Sequence, residues 1–316
     1  MANAFTSFWQ TVVAAASEAS QLLAPTWNAL DSVYLDYKPL PATIGQTINV
    51  PIPQDPTNAV NDIGAGDVTI SDVGFSTVPI VFDRHPNFAF VVRDFEQFNS
   101  PQQIRSLFMD AAMKGVKNHI NQNVANLFTT ANFTTNTAIP CTSSVISVTQ
   151  FTQGLAKLAD QRVPVQNDPD NMNLVLPSVP YAAMMDASST AGGFWAQARI
   201  TGGNIAESIR SSGVMVPAFG CRIKLDQQMP TSGASPSRTF TAAYLHRWAV
   251  AVVSRDMPPP DSKVVDYMYM PFGGISLRIS IGYNQYPKQG YVVNVDAGYG
   301  LKVVRENMCQ LFTIAE

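Results

Sequence analysis

The stretch SPQQIRSLFMDAAMKGVKNHINQNVANLFTT, Ser100–Thr130, is the longest run that reads as a single helix, and the fold turns on it. Ser100 is a natural N-cap, and Pro101 takes the first helical position, where its missing N–H costs nothing. Gln103 stands where a capping box needs it. Ile104, Leu107, Phe108 and Ala111 share one face, which Val116, Ile120, Val124 and Leu127 continue with some drift. About 28 helical residues would span roughly 42 Å, whereas helices of globular proteins average about 10–14 residues. Arg105, Asp110, Lys114, Lys117 and His119 keep much of the rod wet. Gly115 inside it costs about 1 kcal/mol relative to alanine, so it marks a close crossing or a bend. Nothing in the stretch looks catalytic, and its length asks for a geometric explanation.

The sequence around it is mostly extended and rich in Gly and Pro. Residues 5–35 read as one or two short amphipathic helices interrupted at Pro25. They either fold back on the body or lie on a neighbour as an arm. Thr47–Val50 and Val68–Ile70 read as the two arms of a long hairpin, with a polar, turn-rich connection that has little of its own to bury. Val78–Phe82 and Phe88–Val92 read as strands entering a core. After the rod, residues 149–163 supply a second helix, capped by Thr149 and stopped before Pro164. Leu174–Leu176 is a buried strand followed by a short helix from about Pro180. The 227–240 region, rich in Pro, Gly and Ser, is an irregular tip. Three β-like segments close the chain, which makes the fold class α+β.

Composition points away from a free monomer. Only 14% of residues are charged, while 46% are hydrophobic; a soluble domain carries nearer a quarter charged. Other copies covering the surface would account for the low figure. The net charge of -3 and the absence of any Lys/Arg run exclude a dedicated nucleic-acid binder. Cys141, Cys221 and Cys309 are far apart and odd in number, so neither a disulfide framework nor a zinc knuckle is expected. No signal peptide and no run of 18 apolar residues is present, so no membrane span is expected and synthesis is expected in the cytoplasm.

Chemistry is sparse. His85, His119 and His246 form no HxH or HExxH arrangement, and there is no GxSxG elbow. All three histidines read as structural. The GAGD at 64–67 and the GYG at 298–300 read as turns rather than phosphate loops. Asp168, Asp170 and Asn173 crowd a turn without the spacing of a calcium loop. No catalytic residue, cofactor or metal site is expected.

The order of these pieces resembles tailed-phage major capsid proteins of the HK97-like fold, in particular the coat proteins of short-tailed phages. Six pieces carry the resemblance and together cover nearly the whole chain: the arm, the hairpin, VVRDFEQFNSPQQIRSLFMDAAMKGVKNHINQNVANLF, MNLVLPSVPYAAMMD, YLHRWAVAVVSRD and VNVDAGYGLKVVRENMCQLF. The resemblance implies an N-terminal arm (1–36) and an extended hairpin loop (37–78). It implies a peripheral domain (79–170) with a spine helix at 100–130, an axial domain (171–255) and a return to the peripheral domain (256–316). It implies a protein that assembles through pentamers and hexamers into an icosahedral shell around double-stranded DNA, held by non-specific contact. The expected partners are a portal protein and a separate scaffolding protein, with room for a decoration protein. The expected location is the virion, assembled in the host cytoplasm. An encapsulin-like compartment of the same fold is the alternative. The expected contacts between copies are the hairpin (Pro53, Asp55, Asp62, Asp67) against a neighbour's Arg105 and Lys114, with Gly115 at a crossing on the rod. The 227–240 tip would line a capsomer centre or the outer surface.

Overall fold

The computed structural model describes residues 10, 12–14, 28–53, 75–93, 108–165, 167–185, 220–260, 266–284 and 289–316. Two mixed sheets and a separate two-stranded ribbon form their framework. The strands of the first sheet are β1 (Tyr34–Pro41), β4 (Asn87–Arg93), β10 (Val250–Asp256), β11 (Asp266–Phe272), β12 (Ile275–Asn284) and β13 (Gly290–Val303). Their order is β1-β10-β13-β12-β11, with β4 also on β13. The 14-residue β13 organises this sheet: residues 290–297 pair with β12 and 290–296 with β4, while 298–303 pair with β10.

The second sheet has the order β5-β14-β9-β6-β7, from Ile139–Cys141, Cys309–Ala315, Thr239–His246, Met172–Leu176 and Arg222–Leu225. The short β8 (Thr231–Ser232) pairs with β9 at the exposed 231–238 tip. All of β6 is buried, as an apolar run covered on both faces should be. Helix α2 (Val148–Asp160) packs on this sheet through Phe151, Gly154 and Leu158. A Cβ at Gly154 would stand 2.7 Å from the Phe312 ring, so this glycine sets how closely helix and sheet approach. The N-cap of α2 is Ser147, two residues earlier than expected, and Gln150 completes its capping box. Helix α3 (Ser178–Met185) follows β6, as the sequence suggested.

Helix α1 (Met109–Ala125) is the described part of the rod. Its 17 residues rise about 26 Å, and it ends before the Leu127–Thr130 segment that the sequence assigned to it. Residues 100–107, with the expected cap, lie outside the described residues. The buried face is Met109, Ala112, Met113, Val116, Ile120 and Val124, each at most 2% exposed. Ala111 and Phe108 therefore do not belong to the buried face; Phe108 stacks on Phe90 at 5.5 Å but stays exposed. Met109 and Met113 take core places, which their long, flexible thioether side chains fill readily.

The far end of α1 is tied to the second sheet by a buried polar cluster. Asn121 accepts from the Leu30 N–H (3.0 Å) and donates to Asp226 (2.9 Å) and Gln228 (2.7 Å). Asp226 also accepts from the Ala29 N–H at 2.8 Å. Helix, N-terminal segment and the exit of β7 thus share one set of bonds, and α1 braces one sheet against the other.

One expectation changes. The strand paired with Thr47–Val50 is Val78–Val81, in the register Thr47↔Val81 and Val50↔Val78; Val68–Ile70 lies outside the described residues. The ribbon strands are β2 (Thr47–Pro53) and β3 (Phe75–Val81). Residues 256–316 contribute to both sheets, β11–β13 to the first and β14 to the second. The chain crosses between sheets at Arg247–Ala249 and again at residues 304–308, where the Val304 and Arg305 N–H groups both donate to the Ala249 carbonyl (2.9 and 3.2 Å).

Candidate assembly surface

The β2–β3 ribbon stands apart from both sheets in its hydrogen bonding. Residues alternate across it, so one face carries Ile48, Val50, Val78 and Ile80 and the other Thr47, Asn49, Pro51, Thr77, Pro79 and Val81. The first face is pinned to the body: Val50 and Ile80 cluster with Ala251 and Val253 of β10, flanked by Tyr34 and Val304. The second face is exposed. Pro53 ends β2 opposite Phe75. Asp55, Asp62 and Asp67, and Arg105 on the other side of the expected contact, lie outside the described residues.

Lys114 and Gly115 lie on the exposed side of α1. A Cβ on Gly115 would meet Phe88 of β4 at 3.5 Å, an ordinary contact. Here helix and strand form the two walls of an open groove of about 500 Å³ lined by Arg84, His85, Phe88, Gly115, Val116 and His119. Its floor is fixed by hydrogen bonds. Arg84 donates to Asn123 (2.8 Å), which in turn donates to the Tyr299 hydroxyl (2.9 Å). His85 meets the fully buried Asp296 at 2.8 Å, and Asp296 is also bound by Arg278. The sequence treated His85 and His119 as structural and did not single out Arg84. Only the crossing of β4 over α1 brings the three basic side chains to one groove, and the DRHP run at 83–86 is the sole local trace of it.

The remaining reactive groups are built into the core. Burial pushes the Cys141 and Cys221 thiols up to about 12 and Cys309 higher still, so none is a ready nucleophile. His246 is buried, with Nε2 at 3.2 Å from Asp168 and Nδ1 accepting from the Trp248 N–H. Both ring nitrogens are engaged, which suits a neutral, structural imidazole. Asp168 also holds Asn171 and Asp170 pairs with Arg222, so the acidic turn is satisfied from within the chain. No cluster of three or more His, Cys, Asp or Glu able to hold a metal occurs among the described residues. No described helix is long and apolar enough to cross a membrane.

Lys117 is the exception to comfortable burial. It is 2% exposed, with its ammonium 4.3 Å from the centre of the Phe272 ring. Burial lowers its pKa from the ordinary 10.5 to about 7, against an opposing pull from Asp31. Between those values the unfolded chain binds more protons than the folded one, so stability should rise with pH. The slope is up to about 1.4 kcal/mol per unit from pH 7 towards 10. Lys117→Met should lack that slope; denaturant titrations of both proteins at pH 7, 8 and 9 measure it, and parallel curves would rule it out.

Two mixed sheets braced by α1, with a two-stranded ribbon docked on the body by one face, make up the described α+β fold. The chain matches one in the capsid structure of cyanophage P-SCSP1u with a TM-score of 0.54 and 11% identity, over 89% of this chain and 86% of that one. It matches a chain from the structure of Mycobacterium phage Che8 with a TM-score of 0.50 and 14% identity, over 86% and 85%. At such identities the likeness is one of fold. No protein-family model and no curated protein matches the sequence.

Proposed function

We propose that this chain is a major capsid protein of the HK97-like type, assembling through pentamers and hexamers into an icosahedral shell around double-stranded DNA. The observation that carries this reading is the ribbon: a two-stranded element docked by one face and exposed on the other, on a fold shared with a phage capsid chain. In this reading α1 belongs to the spine helix, the peripheral domain takes residues 79–170 and 256–316, and the axial domain takes residues 171–255. The ribbon and residues 54–74 are the extended loop. Asp55, Asp62 and Asp67 of one copy meet Arg105 and Lys114 of the next, beside Gly115, while Pro53 starts the loop that reaches across. The partners are a scaffolding protein and a portal, and the location is the virion. Weak contacts of this kind gain strength through repetition around a closed shell.

Deleting Pro53–Gly66 tests the reading. The full chain should yield uniform closed particles in sedimentation and electron micrographs, and the deletion should yield open or small assemblies. Normal closed shells from the deletion would count against the ribbon's role. Particles from the native source that hold a protein cargo instead of DNA would favour the encapsulin-like compartment.

A further inference from the structure

Between β9 and β10 the chain passes from the second sheet to the first through a 3-10 turn, Arg247–Ala249, and between β13 and β14 it returns through another, Glu306–Met308. The two passages are bonded together where the Val304 and Arg305 N–H groups share the Ala249 carbonyl. His246 stands at the head of the first passage. It is the last residue of β9, in register with Met172 of β6, and it is 3% exposed. Its Nδ1 accepts from the Trp248 N–H at 3.4 Å and so caps the turn. Trp248 lies on Tyr34 of β1 with ring centres 4.0 Å apart, and the Arg247 guanidinium is 5.6 Å from the centre of the same Tyr34 ring. One imidazole nitrogen thus links the end of a strand in the second sheet to an aromatic pair seated on the first.

The bonds fix the protonation state. Nδ1 accepts, so its hydrogen is absent, and the ring carries its proton on Nε2, which donates to Asp168 at 3.2 Å. A second proton has only Nδ1 to go to, where it would face the Trp248 N–H donor to donor. The charges that bear on the ring come from three places: Arg247 on its own turn, Arg305 on the returning passage and Asp168 on the turn before β6. Asp168 is shared, because Asn171 donates to both of its oxygens. Burial holds the imidazole below its ordinary 6.5; Asp168 pulls the other way, and Arg247 and Arg305 add to the lowering. Below pH 6.5 the unfolded chain therefore takes the proton first. The stability contributed by the neutral ring is complete above that value and is lost as the pH falls through the ring's lower value in the folded chain.

We infer that His246 makes the passage between the two sheets acid-sensitive: a proton arriving at Nδ1 displaces the Trp248 N–H, uncaps the turn and loosens the seat of Trp248 on β1. The tie between the sheets through Asn121, with Leu30, Asp226 and Gln228, contains no histidine. In acid the body is held there and slackened at the crossings, so the sheets gain freedom along one side only. The device lies within one subunit and does not depend on the shell reading.

Amide exchange of the full chain between pH 7.5 and 4.5 reads this joint, with rates expressed as protection so that the intrinsic pH dependence of exchange drops out. Protection at Trp248, Val304 and Arg305 should fall by about fivefold toward the acid end, the effect of losing one ordinary hydrogen bond, while β12 keeps its protection. His246→Asn retains an acceptor for the Trp248 N–H and does not titrate, so its protection should stay level across the range. Asp168→Asn removes the charge that favours the imidazolium and should move the fall to lower pH. If His246→Asn does not fold, His246→Gln, which keeps a donor toward Asp168 and does not titrate, is read in its place. Level protection in the parent overturns the inference. So does the same acid fall in parent and untitratable variant, or a fall in Asp168→Asn at the parent's pH or above.

Discussion

Gly300→Val should release the β2–β3 ribbon from the body while leaving both sheets folded, and should abolish closed assembly. A Cβ at position 300 would stand 2.3 Å from the Val81 carbonyl oxygen and 3.0 Å from its carbon. Both are backbone atoms, so no side-chain rotation relieves the clash, and β3 must move away from β13. Moving it uncovers Val50 and Ile80, which are 2% and 1% exposed against Ala251 and Val253. Full burial of such side chains is worth about 1.5–3 kcal/mol each, which is enough to free the ribbon. The body keeps the much larger core built on α1, β6, β9 and β12. Amide exchange should therefore rise to unprotected rates across 47–53 and 75–81 and stay slow in β9 and β12. A variant with native protection in the ribbon and normal particles would show that this glycine does not set the ribbon's place. Lys302→Ala, which removes only the bond to the Pro79 carbonyl, should change stability by less than about 1 kcal/mol.

How far the sequence could be read follows from how local each signal is. The apolar run of β6, the amphipathic repeat of α2 and the Pro180 region of α3 are encoded within a few residues, and each appears near its expected place. The ribbon partner was misread because Val68–Ile70 and Val78–Val81 are equally β-like. What selects the second is packing of Ile80 and Val78 on β10, some 170 residues later in the chain. Loop-closure entropy grows too slowly with length to favour the nearer candidate. The same reason hides the fate of the C-terminus: Cys309–Ala315 reads as one more strand, but its neighbours β9 and β5 are chosen by long-range pairing. On α1, apolar residues occur on more than one face. Met109 and Met113 lie in the core while Phe108 and Ala111 are exposed, a choice made by packing between elements that no local pattern states. The basic groove was least legible of all, since Arg84 and His119 belong to different elements.

Asp296→Ala should be the most damaging single change among the described polar groups. Asp296 is completely buried in the middle of β13 and pairs across the ladder with Arg278 of β12. Arg278 Nε donates to Oδ1 at 3.0 Å and Nη2 donates to Oδ2, the two-pronged geometry that suits a guanidinium. His85 approaches Oδ2 at 2.8 Å, and Arg278 Nη1 donates to the Pro258 carbonyl. The carboxylate and its guanidinium partner together thus join β12, β13, the segment before β4 and the segment after β10. Removing it leaves a largely buried guanidinium with no counter-charge, which costs about 3–5 kcal/mol, a large part of the roughly 5–15 kcal/mol that holds a domain folded. The loss comes from stranding the partner more than from any net gain in the pair itself. Arg278→Met added to Asp296→Ala should therefore recover most of the stability, since a buried ion pair and an apolar replacement of similar volume are often close in energy. Denaturant midpoints of the parent, both single variants and the double variant close the cycle. His85→Ala should cost far less, because that ring is one-third exposed and Arg278 still neutralises the carboxylate. If the double variant is as unstable as Asp296→Ala alone, the damage lies in lost packing around β13 and not in the abandoned charge.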